Sequence, residues 1–337
     1  MQTNLKPTKR FMIEPLLDCN VDCKFCYHKH KKAEWKKYTK PLQQIIEEID
    51  KGKERDNDYM DITGGEPTIY PWIVDTVKYA LTKNIKTCII TNGLAGPVIT
   101  EKLLSAGIAD FLISIHGLEK VHNYVVQTEK ARKMQERFLN QIKGKVHIRF
   151  NCVITSWNQN EIDLIASWMS QWNPDIVNFI NFNPHHGWKD DPLTEDIVAD
   201  LRIVEPILNR AIEQLENNGI GINVRYYPMC RIAEKYRRCI CNDLQVMFDP
   251  YEWDYNTLPK TDERFFEWGR VTSNNNEEKC QPCCECSLQN VCGGANKFWH
   301  AASSHVYGES LDKIEGENIE DFSYYRKENI APLSVFY

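Results

Sequence analysis

The sequence predicts an α/β protein, a partial (β/α)6 barrel followed by a small C-terminal α+β domain rich in cysteine. Three observations lead there. Six apolar, strand-like runs alternate with segments of helical spacing over the first two-thirds of the chain. The pattern changes after Gly221, where long helical segments stop. The 13 cysteines fall into three groups with two left over.

The strand-like runs are 11–17, 59–63, 87–91, 111–115, 146–155 and 176–182. Apolar residues recur three and four apart over 41–53, 72–83, 99–106, 129–142, 161–172 and 194–217, which marks helices. Strands alternating with helices of this length are βαβ units of a parallel sheet. Their crossovers are right-handed, so six of them curl toward a barrel. The last helix carries its stop signal at Asn217-Asn218-Gly219. Beyond it, 222–227 and 244–248 read as short strands among dense aromatic residues and cysteines. The expected boundaries are a barrel over 1–221, a small domain over 222–310 and a charged, surface-wrapping tail over 311–337.

Composition is that of a globular chain, 42% hydrophobic and 26% charged. No run of about 18 apolar residues predicts a membrane span. The N-terminus MQTNLKPTKR lacks the apolar stretch of a signal peptide, so the expected location is cytoplasmic with reduced thiols. A net charge of −6 argues against nucleic acid as an obligate partner. The Lys-rich stretch 28–40 reads as a solvated loop and helix start. Cys88 and Cys152 sit alone in apolar strands and read as core residues.

The first cysteine group, Cys19-Asn-Val-Asp-Cys23-Lys-Phe25-Cys26-Tyr27, follows the first strand directly. Three thiolates around a four-iron cluster leave one iron open, whereas ferredoxin-type clusters use four. The same logic separates open catalytic zinc sites from closed structural ones. Thr63-Gly64-Gly65-Glu66-Pro67 ends the second strand. Its glycines allow close backbone approach to a ligand, and its carboxylate can accept hydrogen bonds from an ammonium group. Thr91-Asn92-Gly93 and Ser114-Ile115-His116-Gly117 follow strands three and four, and Asn151-Cys-Val-Ile lies in strand five. Ligand sites of α/β barrels form at these carboxyl ends.

The Cys-x3-Cys-x2-Cys loop, with an aromatic residue (Phe25) before its last cysteine, and the Gly-Gly-Glu-Pro segment resemble the signatures of the radical S-adenosylmethionine (SAM) superfamily. The resemblance implies a 4Fe-4S cluster on Cys19, Cys23 and Cys26, whose open iron binds the amino and carboxylate groups of SAM. Electron transfer then cleaves SAM to methionine and a 5′-deoxyadenosyl radical that abstracts hydrogen from substrate. It further implies that Gly64, Gly65 and Glu66 contact the methionyl amino group and that Asn92 joins them. Ser114 and Asn151 are implied at the ribose or carboxylate, Val153 against adenine, and the Tyr27 backbone at the adenine edge. His116 either faces substrate or supports residues that do. Asn181, Asn183 and His185 end strand six at the same mouth.

Late in the chain, Cys283-x2-Cys286-x5-Cys292-Gly293-Gly294 resembles part of the SPASM/twitch extension, which carries auxiliary 4Fe-4S clusters. The segment 241–249 resembles its cysteine-bearing hairpin. A full pattern has another cysteine four positions after the last, where this chain has Asn296. One auxiliary cluster is therefore expected, on Cys283, Cys286, Cys292 and a fourth ligand from Cys280, Cys241, Cys239 or Cys230. The same spacing also suits a zinc knot. Cys230 follows Val224-Arg-Tyr-Tyr-Pro. It is a cluster ligand, a structural thiol, or a catalytic one that donates a hydrogen atom to a substrate radical.

The leading expectation is a radical SAM enzyme acting on a ribosomally made peptide, by epimerisation, crosslinking or oxidation. The chain starts almost at the first strand, which leaves no room for a winged-helix leader-recognition domain. The alternatives are a dehydrogenase-like enzyme for a small molecule, and a non-catalytic cluster protein that binds a partner. Either enzyme needs a reductant such as flavodoxin or ferredoxin.

Overall fold

The structure is a computed structural model that describes residues 10–30, 37–184, 188–242, 253–254, 277–278, 281–296, 311–321 and 324–326. Its strands lie side by side in chain order and all run parallel. They are β1 (Arg10–Leu16), β2 (Tyr59–Gly64), β3 (Lys86–Thr91), β4 (Asp110–Ser114), β5 (His147–Ile154), β6 (Ile176–Asn181) and β7 (Gly221–Arg225). A two-residue β8 (Trp253–Asp254) adds in parallel to the outer edge of β1. Among the described residues β7 and β1 do not pair, so the barrel stays open.

The expected six-unit barrel is present, with one strand more. Residues 222–227, read from sequence as the start of a second domain, supply β7, which pairs with β6 from Ile176↔Gly221 to Ile180↔Arg225. Ile222 and Val224 are buried there, as a sheet strand requires. The turn at Asn217-Asn218-Gly219 hid this continuity, because it resembles a domain linker. The expected strand at 244–248 lies outside the described residues. The described part of the late region holds a small antiparallel pair, β9 (Glu277–Glu278) with β10 (Ala295–Asn296), and a short helix α9 (Gln281–Cys284).

Helices cover the outside of the sheet. They are α1 (Leu42–Glu54), α2 (Ile73–Thr82), α3 (Pro97–Ser105), α4 (Glu119–Val125), α5 (Ala131–Ile142), α6 (Ile162–Ser170), α7 (Leu193–Ile197) and α8 (Leu201–Asn217). The α8 helix shows why the longer ones form. Asp200 caps it by accepting from the Arg202 N–H at 2.9 Å. Leu201, Val204, Leu208, Ala211, Ile212 and Leu215 make one buried stripe. Gly219 at φ +71° ends it. On α1, Gly52 lets the helix approach β1 closely, since a Cβ there would stand 2.6 Å from the Phe11 ring. The seven-residue α4 escapes the sequence reading, because only His122 and Val125 of it are buried and the period cannot show.

The amino ends of the strands enclose a charged network. Arg10 pairs with Asp61, and Arg149 donates to Asp110 at 3.0–3.1 Å. Tyr59 donates to the same Asp110, and Arg149 also reaches the Cys88 sulfur at 3.1 Å. All six side chains are buried. Two arginines balance two aspartates, so the network ties β1 to β5 with no net charge. Cys88 and Cys152 are both buried in the sheet as expected.

Candidate active site

At the carboxyl end of β1 the chain leaves the sheet into the thiol loop. Cys19, Cys23 and Cys26 are each half-buried there and form no disulfide. The loop is pinned from several sides. Lys24 N–H donates to the Val125 carbonyl at 2.9 Å, and Gln127 holds the Asp22 carbonyl. Cys26 N–H closes a turn on the Cys23 carbonyl at 3.0 Å. The indole N–H of Trp188 donates to the Cys26 carbonyl at 3.2 Å.

The Gly-Gly-Glu segment locks onto this loop through its backbone. Gly65 N–H donates to the Leu16 carbonyl at 3.0 Å and Glu66 N–H to the Asp18 carbonyl at 2.8 Å. A Cβ on Gly64 would collide with the Leu16 carbonyl oxygen, and one on Gly65 with that of Asp18. Gly64 also takes φ +122°. The glycines thus answer a close approach within the protein, to the strand that launches the thiol loop. The sequence reading had them approach a ligand. His28, buried, adds a contact from Nε2 to the Gly64 carbonyl at 3.1 Å.

Glu66 is buried with its carboxylate engaged by the protein. Oε1 accepts from Thr68 N–H at 3.1 Å, Thr68 Oγ1 at 2.6 Å and Thr91 Oγ1 at 2.7 Å. Oε2 accepts from the Asn92 N–H at 2.8 Å. Glu66 therefore clamps the end of β3 to the end of β2. From there a polar row runs along the mouth. Asn92 reaches Asn20 Oδ1 at 2.6 Å and stands 3.9 Å from the Cys19 sulfur. Gln135 donates to the Asn92 carbonyl at 2.7 Å and the Ser114 carbonyl at 2.9 Å. Ser114 and Asn151 face each other in register. Asn151 Oδ1 accepts from Asn178 at 2.9 Å, and Asn178 Oδ1 accepts from Asn223 at 3.1 Å. The expected residues Glu66, Asn92 and Ser114 are thus linked along consecutive strand ends, and Asn151, inside β5, stands in register with Ser114. Gln135, Asn178 and Asn223 were missed. The asparagines left a signal, a polar residue inside each apolar strand, but only the register aligns them.

His116 is held by the fold. Its Nδ1 accepts from the Val153 N–H at 3.3 Å, and its own N–H donates to His122 Nδ1 at 3.1 Å. Asn158, buried and also missed, binds the His116 carbonyl at 3.1 Å and the Val153 carbonyl at 2.7 Å. Burial, helped by the Arg132 charge, pushes the His116 imidazole down to about 3, so it is neutral. The Phe25 ring meets it edge-on at 4.8 Å and lies 6.4 Å from Phe182. Phe25 is buried, whereas Tyr27 is 41% exposed with its hydroxyl on Glu14 at 2.9 Å. Asn181 donates to the Tyr226 carbonyl at 3.1 Å, and His185 lies outside the described residues.

The late cysteines form a second site. Cys283, Cys286 and Cys292 line a recess of about 320 Å³ together with Cys230, Pro228, Leu311 and Asp312. Leu311 is buried, so the start of the segment read as a surface tail belongs to this recess. Cys241 and Cys239 are not brought to it. The Cys241 sulfur lies 3.6 Å from the Val224 carbonyl of β7, and that of Cys239 lies 4.0 Å from Glu216. Cys280 lies outside the described residues.

With this geometry in view, the comparison with known families gives one match. Residues 13–166 match the Radical SAM superfamily. The match runs from β1 into α6 and so contains the thiol loop and the glycine clamp. An S-adenosylmethionine-dependent nucleotide dehydratase of Flammeovirga pacifica is 26% identical over 215 residues, 60% of this chain and 71% of that protein. The mycofactocin maturase MftC of Mycobacterium ulcerans is 27% identical over 153 residues, and the chain covers 41% of its length. SuiB of Streptococcus suis bound to precursor peptide SuiA superposes with a TM-score of 0.57 at 16% identity, over 91% of this chain and 75% of that one. At that identity the likeness is one of fold. The family match spans less than half of the chain, and both relatives stay below 30% identity.

The first site fits the cluster that this superfamily implies. Burial pushes the Cys19 thiol up to about 11, with the charges of Glu66 and Cys26 adding to it. Cys23 is pushed higher still, by burial first and then by Cys26 and Cys19. Thiols raised chiefly by burial need a cationic partner to hold them as thiolates, which iron supplies on ligation. Among the described residues no three His, Cys, Asp or Glu side chains are close enough to share one metal ion. A cubane needs no such point, because each thiolate binds a different iron. No helix among the described residues is long and apolar enough to cross a membrane.

Proposed function

We propose that this chain is a radical SAM enzyme that modifies a peptide. The observation that carries the reading is the joint of two motifs: the Cys19–Cys26 loop is fastened by backbone hydrogen bonds to Gly65 and Glu66. A cluster bound there would supply the electron for reductive cleavage of SAM and so the radical chemistry that takes hydrogen from substrate. Cys19, Cys23 and Cys26 would hold it through their three thiolates. Glu66 and Gln135 fix Asn92 and Ser114 at the rim, where with Asn151 they offer neutral donors and acceptors to SAM. Neutral His116 sets Val153 and buttresses Phe25. Phe25, Phe182 and Trp188 pack beneath the loop and keep water from its inner side.

The peptide class is supported by SuiB, whose structure with a precursor peptide shares this fold over 91% of the chain. The nucleotide dehydratase favours a second reading, a small-molecule substrate, since the match spans 71% of that enzyme. A one-electron donor such as flavodoxin or ferredoxin completes either system.

The test is anaerobic reconstitution with iron and sulfide, reduction with dithionite, and assay for 5′-deoxyadenosine. Wild type forms it, and Cys19→Ala/Cys23→Ala/Cys26→Ala forms none. Absence of product from reconstituted wild type would sink the proposal. Candidate peptides and nucleotides then compete as substrates, and whichever raises turnover and carries a mass change identifies the class.

A further inference from the structure

We propose that Cys230 is the fourth thiolate of the late cysteine site, so that the barrel itself closes an auxiliary 4Fe-4S cluster on Cys230, Cys283, Cys286 and Cys292. This deepens the reading of the late cysteines as iron–sulfur ligands and does not depend on SAM cleavage.

Four observations carry it. First, these four thiols line a single recess of about 320 Å³. Cys230 comes to it from the single turn Met229–Arg231 that follows β7, whereas the others come from the segment around α9. Second, the other described middle cysteines point elsewhere, Cys241 under β7 and Cys239 toward Glu216.

Third, the segment that crosses the recess supplies the hydrogen bonds that iron–sulfur ligands use. Ile314 N–H donates to the Cys286 sulfur at 3.4 Å, and the backbone of Asp312 hydrogen-bonds Cys230. Residues two apart in an extended stretch thus serve sulfurs from the two parts of the site. The segment is itself fastened, since Ser287 N–H donates to the Ile314 carbonyl at 2.9 Å and Ile319 N–H to the Ser287 carbonyl at 3.0 Å. Fourth, the residue after Cys230 holds that junction together. Arg231 bridges Glu205 of α8 at 3.3 Å and Asp312 at 3.0 Å.

A cluster with four thiolates has no open iron. It can pass an electron but cannot bind substrate as the first site binds SAM. A thiol committed to iron also cannot act as hydrogen-atom donor. The N–H···S bonds favour the reduced state, because they stabilise the added negative charge.

The experiment uses the full chain in the Cys19→Ala/Cys23→Ala/Cys26→Ala background, where only the late site can load. After anaerobic treatment with ferrous iron and sulfide, this background should hold about four irons per chain, as one cubane does. Adding Cys230→Ala should lower that number or change the electron paramagnetic resonance spectrum of the reduced cluster. β-Mercaptoethanol should restore the parent spectrum by occupying the vacated iron. Cys230→Ser keeps the side-chain volume and guards against a folding defect; it should fold as the parent does and still shift the spectrum. Cys241→Ala should change neither iron nor spectrum. The proposal is overturned if Cys230→Ala keeps iron and spectrum unchanged, or if the background holds no iron. Failure of wild type to form 5′-deoxyadenosine would overturn the proposed function and leave this result standing.

Discussion

The two ends of one sheet solve opposite problems. At the amino end, β1 to β5 bring Arg10, Asp61, Asp110 and Arg149 together in full burial. Each charge there is answered by another, and the end is sealed. At the carboxyl end the same strands present glycines, amides and a serine. Among the described residues there the buried carboxylate is Glu66, and it is engaged by Thr68, Thr91 and Asn92. A charged plug is stable only when complete, so it suits the end that never opens. A rim of neutral donors and acceptors tolerates exchange of water for ligand, so it suits the end that must.

This contrast can be broken most severely at the plug. Asp110→Ala removes the main partner of Arg149, which keeps only Asp61 at 3.6 Å as a counter-charge, and the acceptor of the Tyr59 hydroxyl, and loss of one partner of a buried pair costs about 3–5 kcal/mol. Denaturant unfolding should show that loss, while 5′-deoxyadenosine formed per folded molecule stays near wild type. At the other end the balance reverses. Gly65→Ala drives its Cβ against the Asp18 carbonyl and so displaces the start of the thiol loop, and a displacement of about 1 Å can cost about 10²-fold in rate. SAM cleavage should fall by about that factor, while the loss of stability should be smaller than for Asp110→Ala, about 1–3 kcal/mol for the overpacked backbone. Equal damage to stability from both variants would erase the distinction.

The effect that is smallest near neutrality, and grows only in acid, is one of pH. His116 is held down at about 3 and His122 is also lowered, both chiefly by burial. The unfolded chain takes up these protons below the ordinary histidine value of about 6.5, and the folded chain does not. Stability is therefore complete above about pH 6.5 and falls as pH drops toward 3. Each histidine contributes a slope of up to about 1.4 kcal/mol per pH unit. His116→Gln should make the acid limb of a stability–pH curve shallower; an unchanged slope would show that the imidazole is not kept neutral by the fold.

Much of this architecture was legible because burial imposes a period. The apolar runs gave six strands, and the stripes of α1, α5 and α8 gave their helices. Cys19, Cys23, Cys26 and Gly64–Glu66 were legible because their spacing is local. What escaped was set by register. Arg10 and Asp110 stand just outside the runs read as strands, and nothing local says that both turn inward. Gln135 lies on a helix and binds two strand ends, at Asn92 after β3 and Ser114 of β4, that are far from it in sequence. Asn178 and Asn223 become a row only once β6 is set against β5 and β7. Cys230 was one candidate among several until the fold carried it to the late cysteines.

The strap over those cysteines also sets an order of events during synthesis. The thiol loop at Cys19–Cys26 takes its contacts from Val125, Gln127 and Trp188, so it is complete once residue 188 has emerged. The second site waits for Asp312 and Ile314, which reach the sulfurs only after every cysteine has been made. A growing chain therefore finishes its two thiol sites in sequence, the later one only after residues 312 to 314 have been made.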